Sequence, residues 1–358
     1  MSRFIQLHLL TSYPPSNLNR DDTGRPKTAL VGDANRLRIS SQSLKRAWRT
    51  SEVFEAAVGN NLGTRTKQMG KQVYEKLCAG GLPEKVARDW AKEIAKQFGK
   101  LKSDKKVENN TDLEIEQLAH FSPDEQEAIA ALIATLIERK GSLTEEETKT
   151  ALQLLSYPRR AVDIAMFGRM LADNPQFNME AAVQVAHAIT VHRAAVEDDF
   201  FSAVDDLNQS SNTGSGHIGE HGYGAGLFYL YLCIDHALLK SNLGDDDGLT
   251  ARALEGLVHA VTQVSPTGMQ NSFASRSRAS YVLAEKGDQQ PRSLAQAFLK
   301  PIKPWGEEGM LDMAVKALET RNQNMDAVYG ACADARYLLN VETPVGNLAE
   351  LVQFVTTA

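Results

Sequence analysis

The chain has 358 residues, of which 42% are hydrophobic and 23% are charged, as is typical of a globular protein with a sizeable core. No apolar run approaches the ~20 residues of a membrane-spanning helix, and the N-terminus lacks a secretory pattern. The cysteines (Cys78, Cys233 and Cys332) are isolated from one another. Their spacing disfavours a disulfide framework or a zinc site and favours reduced thiols in a cytoplasmic protein.

Charge is distributed unevenly along the chain. Residues 1–50 contain nine Lys or Arg and three Asp, a net charge of +6, whereas the whole chain carries −6. The remaining residues therefore carry −12. A basic segment this concentrated in an acidic protein predicts an anionic partner at that segment.

The first residues predict a strand followed by a loop. In residues 3–11, Ile5, Leu7 and Leu9 alternate with polar residues, which predicts a strand with one face toward a core. Residues 13–33 are rich in Pro, Asn, Asp and Gly. They predict a long loop without structure of its own, and such loops are usually functional or disordered.

Residues 35–49, NRLRISSQSLKRAWR, are the most informative stretch. Residues 36–39 predict a short strand with one buried face, and Ser40 or its neighbours can cap a following helix. Leu44, Ala47 and Trp48 then share one helical face. The unpaired N–H groups and positive dipole end of this helix, surrounded by Lys and Arg, predict an anion-binding site. The alternative is a well-capped amphipathic helix with a solvated basic side.

Residues 59–177 predict helices. Pro83 begins one helix with an apolar face and, opposite it, a basic stripe that includes Lys92 and Lys96. The stripe is either a solvated face or a contact for nucleic-acid backbone. Residues 104–150 contain twelve acidic residues and five basic ones, so we expect them to face away from phosphate. The whole region reads as a helical insertion in an α/β unit.

Two further segments carry candidate functional residues. Residues 162–170, VDIAMFGRM, predict a strand that enters a turn at Gly168 and displays Arg169 and Met170. Residues 181–192 predict a strand whose two histidines, His187 and His192, lack partners at metal-ligand spacing.

Residues 194–225 predict a projecting flexible arm, because they are too long and too rich in glycine for a simple hairpin turn. The glycines are Gly214, Gly216, Gly219, Gly222 and Gly224, and Gly226 follows. Phe200 and Phe201 lie at the base of this arm. Neighbouring residues of a strand point to opposite sides, so we expect one ring to be exposed and suited to stacking on bases. A small local cluster of both rings is the alternative.

The last third of the chain predicts alternating strands and helices. Residues 227–234 are apolar on both faces and predict a central strand. The elements expected after it are a helix at 249–263, a loop from Ser265 that carries Gln270, Asn271, Arg276 and Arg278, a strand at 279–284, helices near 293–300 and 308–322, and a C-terminal helix from Asn347.

Four motifs in order resemble a known family. ISSQSLKRAWR, after the first strand and an NRDD loop, VDIAMFGRM, AHAITVH, and FFSAVDDL with a following GHIG are similar to the CasC backbone subunits of type I-E CRISPR Cascade. The similarity runs from residue 1 to about residue 234 and is weak through 60–155 and after 240. It implies an α+β fold: an RNA-recognition-motif or ferredoxin-like palm (1–58, 181–193 and 224–358), an inserted helical fingers domain (59–180) and a projecting thumb arm (194–223).

The resemblance implies a non-catalytic protein that polymerises along the guide RNA spacer and presents it for pairing with target DNA in antiviral defence. It implies no cofactor, metal or membrane. The implied partners are CRISPR RNA, target DNA, further copies of the chain in a helical backbone, and the other Cascade subunits: the RNA 5′-end cap subunit, the RNA-processing endonuclease subunit, the small subunit and the large PAM-reading subunit.

The same resemblance assigns residues to the interface. RNA contacts are expected from Arg20, Lys27, Ser40, Gln42, Lys45 and Arg49, with Arg169, and with Met170 and Phe201 as wedges beside displaced bases. The local pattern adds Arg46 and Phe200. The fingers region diverges from the family, so Lys92 and Lys96 are expected to contact DNA from their charge pattern alone.

Two other functions are compatible with the residues. Asp21, Asp22 and Asp33 in one loop could hold magnesium in a metal-dependent ribonuclease, although no general base is evident. The acidic remainder of the chain is also compatible with a helical filament that binds no nucleic acid.

Overall fold

A computed structural model describes residues 2–103, 109–203, 217–303 and 308–357. Its strands are β1 Phe4–Ser16, β2 Thr28–Val31, β3 Ala34–Ile39, β4 Thr64–Thr66, β5 Ala119–Phe121, β6 Val183–Val185, β7 Ala188–Thr190, β8 Glu197–Ala203, β9 His217–Asp235, β10 Ala279–Gly287 and β11 Ala335–Asn340.

Its α-helices are α1 Ser41–Arg49, α2 Glu52–Val58, α3 Met69–Ala79, α4 Glu84–Lys96, α5 Pro123–Glu138, α6 Glu145–Ala151, α7 Val162–Phe167, α8 His236–Asn242, α9 Asp247–Gln263, α10 Gln270–Phe273, α11 Met310–Tyr329 and α12 Leu348–Thr356. Short 3-10 turns lie at Thr111–Leu113, Pro175–Phe177 and Ala295–Phe298. None of the helices in the described ranges is long and apolar enough to span a membrane.

The chain divides into two compact units. The first consists of Met1–Ala57, Gln184–His236 and Leu254–Ala358, and the second of Val58–Val183 and Ala237–Ala253. Residues 237–253 therefore pack with the second unit, whereas the predicted palm segment 224–358 includes them.

The first unit is built on an antiparallel sheet of order β11-β10-β1-β9-β7-β3-β2, and β8 pairs with the N-terminal part of β9. β1 lies between β9 and β10, and residues 4–11 are buried throughout. The expected single buried face was therefore wrong, because a central strand covered on both faces leaves no solvated side. The predicted α+β class is confirmed.

The polar residues of β1 find partners inside the first unit. His8 Nδ1 lies 2.9 Å from the Tyr229 hydroxyl and its Nε2 lies 3.2 Å from Glu285, while Gln6 Oε1 accepts from the Tyr231 hydroxyl at 2.8 Å. Buried polar groups of this kind cost little when each is hydrogen-bonded. The alternation of polar and apolar residues in β1 thus reflects a buried network and not exposure.

The predicted long loop at residues 13–33 is largely structured. β1 continues to Ser16, Arg20 and Pro26 form an antiparallel bridge, and β2 pairs with β3. Backbone N–H groups that would be unpaired in an open loop are hydrogen-bonded here. The Lys27 N–H, for example, donates to the carbonyl oxygen of Asn19 at 2.8 Å.

The second unit is mainly helical and has its own core, which includes Leu77, Ala91, Ile94, Phe121 and Leu136. The residues of VDIAMF form helix α7 and not the predicted strand. The chain then turns at Gly168, whose φ of +83° favours glycine. A short apolar run does not separate a buried helix from a buried strand by periodicity, which explains the error.

Candidate nucleic-acid interface

Helix α1 begins as the sequence predicts. The Ser40 hydroxyl accepts from Ser43 N at 3.3 Å, while Leu44, Ala47 and Trp48 are buried. The Ser40 backbone N–H donates to Asn19 Oδ1 at 2.8 Å, which holds the start of the helix against the Arg20 loop. Ser40 itself is buried and caps the helix, and its phosphate contact remains a prediction.

A cleft of about 290 Å³ lies beside α1 within the first unit. Its polar lining residues are Asn19, Arg20, Ser43, Arg46, Thr50 and Thr267. We call it the α1 cleft. Arg20 and Arg46 are exposed, and no carboxylate is among the lining residues that the structure describes. Two guanidinium groups and several hydroxyls around one concavity, along the side of α1 from Ser43 to its C-cap Thr50, suit an anionic ligand.

The other predicted cations of α1 are less accessible. Gln42 is exposed, but Lys45 and Arg49 are half-buried. Burial lowers the pKa of Lys45 from its usual value. Hydrocarbon stems of such side chains can be covered while their charged ends reach the surface. These residues remain predicted RNA contacts.

Lys27 lies near a second small group of bases. Arg38 Nη1 lies 2.9 Å from His187 Nδ1. Burial, and then the positive charges of Arg38 and Lys27, lower the pKa of His187 from its usual value. The neutral imidazole can then accept a hydrogen bond from Arg38.

Arg36, counted in the basic segment, is unavailable to a ligand. It is fully buried and donates to the carbonyl oxygens of Thr190 at 3.0 Å and Phe298 at 2.8 Å. Its strand was expected to alternate exposed bases with buried apolar residues. Tertiary packing overrides that pattern, and the positive charge that faces solvent is smaller than the composition suggests.

Arg169 is a structural residue, which corrects its predicted RNA contact. It is buried, and its Nη1 lies 2.9 and 2.8 Å from the two carboxylate oxygens of Glu125. Its other guanidinium nitrogen, Nη2, donates to carbonyl oxygens of Ser156 and Phe177. Met170, the next residue, is 77% exposed and stays a predicted wedge.

The base of the arm is an ordered antiparallel hairpin, so the prediction of a flexible arm was wrong for this part. Residues 197–203 of β8 pair with residues 217–223 of β9. Gly219 of β9 leaves room for the Phe201 ring of β8, which lies 2.3 Å from the place that a Cβ would take. Gly214 and Gly216, with the rest of residues 204–216, lie outside the described residues.

Phe200 and Phe201 point to different surroundings, as expected for neighbours on a strand. Phe200 is 69% exposed. Phe201 stacks on His221 at 4.5 Å between ring centroids, and its ring lies where a Cβ on Gly219 would be. Phe200 is thus the ring that is open to contact with bases, while Phe201, the expected wedge, also covers the hairpin backbone.

The cations on α4 pair with acids of the same unit. Lys92 and Arg88 contact Asp112 at 2.9 and 2.7 Å, and Lys96 contacts Glu93. Burial opposes ionisation of Asp112, but hydrogen bonds from Lys92 and Arg88 lower its pKa. These cations of the stripe are ion-paired and partly buried, and a DNA contact from Lys92 or Lys96 remains a prediction.

The acidic loop has a local structural use. Asp21 Oδ1 accepts from the Thr23 hydroxyl at 2.8 Å and from the backbone N–H groups of Thr23 and Arg25. These bonds, the one to the Thr23 side chain first, lower the pKa of Asp21. Within the described ranges, no group of three or more His, Cys, Asp or Glu could hold a metal ion.

Sequence reasoning missed one wall of the cleft. Thr267 and Gly268 line it, although the sequence predicts only a loop with polar residues after Ser265. No local signal separates a polar loop that closes a site from one that faces solvent. Their neighbours in space, Asn17 and Leu18, are about 250 positions away in the sequence.

The fold and the site together define an antiparallel α+β protein with a capped basic helix beside a cleft lined by Arg20 and Arg46. The chain belongs to the CT1975-like protein family, whose model matches residues 5–354. The predicted membership of the CasC-type Cascade backbone family is confirmed. Comparison with curated proteins finds no match.

Two solved structures extend the likeness to the whole chain. A chain of a "CRISPR RNA-guided surveillance complex, pre-nicking" is 28% identical, with a TM-score of 0.85, and 99% of each chain is covered. A chain of a "CRISPR RNA-guided surveillance complex" is 25% identical, with a TM-score of 0.73 and the same coverage. The regions where the motifs looked weak, 60–155 and after 240, are therefore included in the similarity.

Proposed function

We propose that this chain is a CRISPR RNA-binding backbone subunit of a Cascade surveillance complex in antiviral defence. The single observation that carries the proposal is the α1 cleft, in which Arg20 and Arg46 lie together without a carboxylate among the described lining residues. A protein that leaves sequence reading to base pairing needs only to hold the RNA backbone, and cations with hydroxyl groups beside them do so.

In this proposal the first unit is the palm, the described hairpin is the base of the thumb, and the second unit supplies the fingers. Copies of the chain polymerise along the spacer, and Phe200 and Met170 act as wedges at displaced bases. The subunit is non-catalytic. The RNA 5′-end cap, RNA-processing, small and large PAM-reading subunits complete the assembly, which presents the RNA for pairing with target DNA.

The membership in the family and the surveillance-complex structures support this proposal more directly than they support the alternatives. A ribonuclease would need the loop carboxylates for a metal, yet Asp21 is occupied by hydrogen bonds within its own turn. A filament without nucleic acid would leave the two arginines of the cleft unexplained.

RNA binding by the full-length chain tests the proposal. Fluorescence anisotropy with a labelled single-stranded RNA should show that the double variant Arg20→Ala/Arg46→Ala binds at least about tenfold more weakly, because charge-assisted hydrogen bonds are removed. The slope of log K against log salt should fall by about 0.7 for each phosphate that the variant no longer neutralises.

The matched control is Lys140→Ala/Lys149→Ala, which removes two exposed cations from the acidic helical region. Its affinity should stay within twofold of the parent. Equal binding by the parent and the cleft variant would contradict the proposed site. The same RNA incubated with parent protein and magnesium should remain intact, and cleavage would contradict the non-catalytic role.

A further inference from the structure

The loop of residues 265–278 connects α9 to β10 and closes one side of the α1 cleft. Thr267 and Gly268 line the cleft together with Arg20 and Arg46. Neither the motif resemblance nor the charge pattern assigns this loop a role.

The loop holds a defined conformation. Gln270 Nε2 donates to Pro266 O at 2.8 Å, and the backbone N–H of Ser277 donates to Ser265 Oγ at 2.9 Å, which ties the two ends together. Met269 and Ala274, at the two ends of α10, both have φ of +49°. Left-handed conformations are unfavourable for residues other than glycine, and they cluster where a binding site over-determines the backbone.

Gly268 brings this loop directly onto the segment that precedes Arg20. A Cβ at Gly268 would lie 2.5 Å from Leu18 O and 2.7 Å from Asn17 O. Any other residue would force the two segments apart, so glycine is required for this close approach. The wall that carries Thr267 is therefore fixed relative to Arg20.

The loop also contacts the hairpin base. The Phe273 and Tyr223 rings pack with centroids 6.0 Å apart, and the Tyr223 hydroxyl donates to Glu197 at 3.0 Å. The loop therefore touches both elements proposed to act on RNA: the Arg20 segment and the strand pair that carries Phe200.

The surface of the loop is polar and positively charged. Thr267, Asn271, Arg276 and Arg278 are exposed. Among the residues that the structure describes, neither arginine has a carboxylate within ion-pair distance. Arg25, by contrast, pairs with Asp198 at 2.8 Å on the same unit. Exposed arginines of this kind suit phosphate oxygens, and the loop that carries them lines the α1 cleft through Thr267 and Gly268.

We propose that residues 265–278 form a second RNA-backbone-binding element, which holds the same strand as Arg20 and Arg46 from the other side of the cleft. The Thr267 hydroxyl and the guanidinium groups of Arg276 and Arg278 donate hydrogen bonds to phosphate oxygens. This inference rests on the proposed function, because it names further contacts for the same ligand.

The double variant Arg276→Ala/Arg278→Ala tests the inference in the full-length chain, with the labelled single-stranded RNA as probe. We expect roughly tenfold weaker binding, together with a salt slope reduced by about 0.7 for each phosphate that is no longer bound. Both side chains are exposed, so thermal unfolding should be unchanged. Gly268→Ala provides a second test that removes no charge. Because the added methyl group displaces the loop, RNA binding should weaken, but the salt slope should fall by less than in Arg276→Ala/Arg278→Ala.

Arg46→Ala distinguishes a failure of the proposed RNA site from a failure of the second binding element. If the parent fails to bind RNA, or Arg46→Ala binds as well as the parent, the proposed function is wrong. If Arg46→Ala weakens binding but Arg276→Ala/Arg278→Ala stays within twofold of Lys140→Ala/Lys149→Ala, the site stands and the second element is overturned.

Discussion

The cations of α4 and those of the α1 cleft have similar sequence signatures and opposite surroundings. On α4, Arg88 and Lys92 share Asp112, and Lys96 pairs with Glu93. In the cleft, Arg20 and Arg46 face hydroxyls and an amide. The local density of positive charge is therefore a poor guide to a binding surface. What matters is whether the fold brings carboxylates next to the cations. Of these two described regions, only α4 has carboxylates beside its cations.

Buried cations are a third case, because Arg36 and Arg169 stabilise the fold and cannot take part in binding. Arg169→Ala should have the largest effect of all, a loss of roughly 3–5 kcal/mol in the free energy of unfolding, since it leaves Glu125 buried without its partner. Urea denaturation checks this value.

The control for that prediction is Arg160→Ala, which breaks an exposed pair with Asp124 and Glu127 and should cost about 0–1 kcal/mol. Adding Glu125→Gln to Arg169→Ala should recover part of the loss. A change below about 1 kcal/mol for Arg169→Ala alone would show that the buried pair contributes little.

The buried network around Glu285 predicts a pH dependence of stability. Burial lowers the pKa of His8 below its usual 6.5, so the folded state keeps this imidazole neutral while the unfolded chain takes up a proton. Stability is then lost as the pH falls below about 6.5, by at most about 1.4 kcal/mol per pH unit for one group.

Glu285 acts at lower pH. Burial opposes its ionisation, but hydrogen bonds from His8 and Arg292 lower its pKa below its usual 4.5. Its contribution is present above pH 4.5 and is lost as the pH falls further. In urea titrations from about pH 8 to about pH 3, His8→Gln should flatten the upper part of the curve, while the lower part persists because Arg292 and Arg336 still pair with Glu285. An unchanged upper part would contradict the role of His8.

Phe200 and Phe201, on the hairpin, test an RNA contact that does not depend on charge. Phe200→Ala should weaken RNA binding by about 1–3 kcal/mol if its exposed ring stacks on a base, with no change in salt slope. Anisotropy at two salt concentrations measures both quantities. Phe201→Ala should instead destabilise the hairpin, because the Phe201 ring covers Gly219. If Phe201→Ala lost as much RNA affinity as Phe200→Ala without a structural change, the stacking role would belong to Phe201.

The smallest effect is expected on α4. Lys92→Ala/Lys96→Ala should leave RNA affinity within twofold of the parent and change stability by less than about 1 kcal/mol, because Arg88 still pairs with Asp112 and the Lys96–Glu93 pair is half-exposed. If these lysines contact DNA, Asp112→Asn should strengthen DNA binding by releasing Lys92. Unchanged DNA binding in both variants would remove α4 from the interface.

Local sequence was sufficient wherever neighbouring residues decide the structure. Ser40 caps α1 and Leu44, Ala47 and Trp48 form its buried face, as the helical spacing indicates. The strand at 227–234, helix α9 and the C-terminal helix with its Asn347 cap were predicted in the same way. Helix spacing and capping are short-range effects, so they can be read without knowing the fold.

Errors arose where a distant partner decides the outcome. The run VDIAMF is apolar enough for either helix or strand. Arg169 looked displayed because Glu125, its partner, is 44 positions away in the sequence. The glycine-rich arm looked flexible because its pairing across β8 and β9 depends on register, which no short window contains.

The sequence by itself determined the family, the α+β class, the capped basic helix and the concentration of positive charge in the first fifty residues. Tertiary structure alone decided which of those charges stay exposed: Arg36 is sealed among carbonyl groups, while Arg20 and Arg46 meet at a cleft that Thr267 helps to close. The physical reason is that a charge is neutralised or left available by its neighbours in space, and those neighbours are set by the packing of segments far apart in the chain.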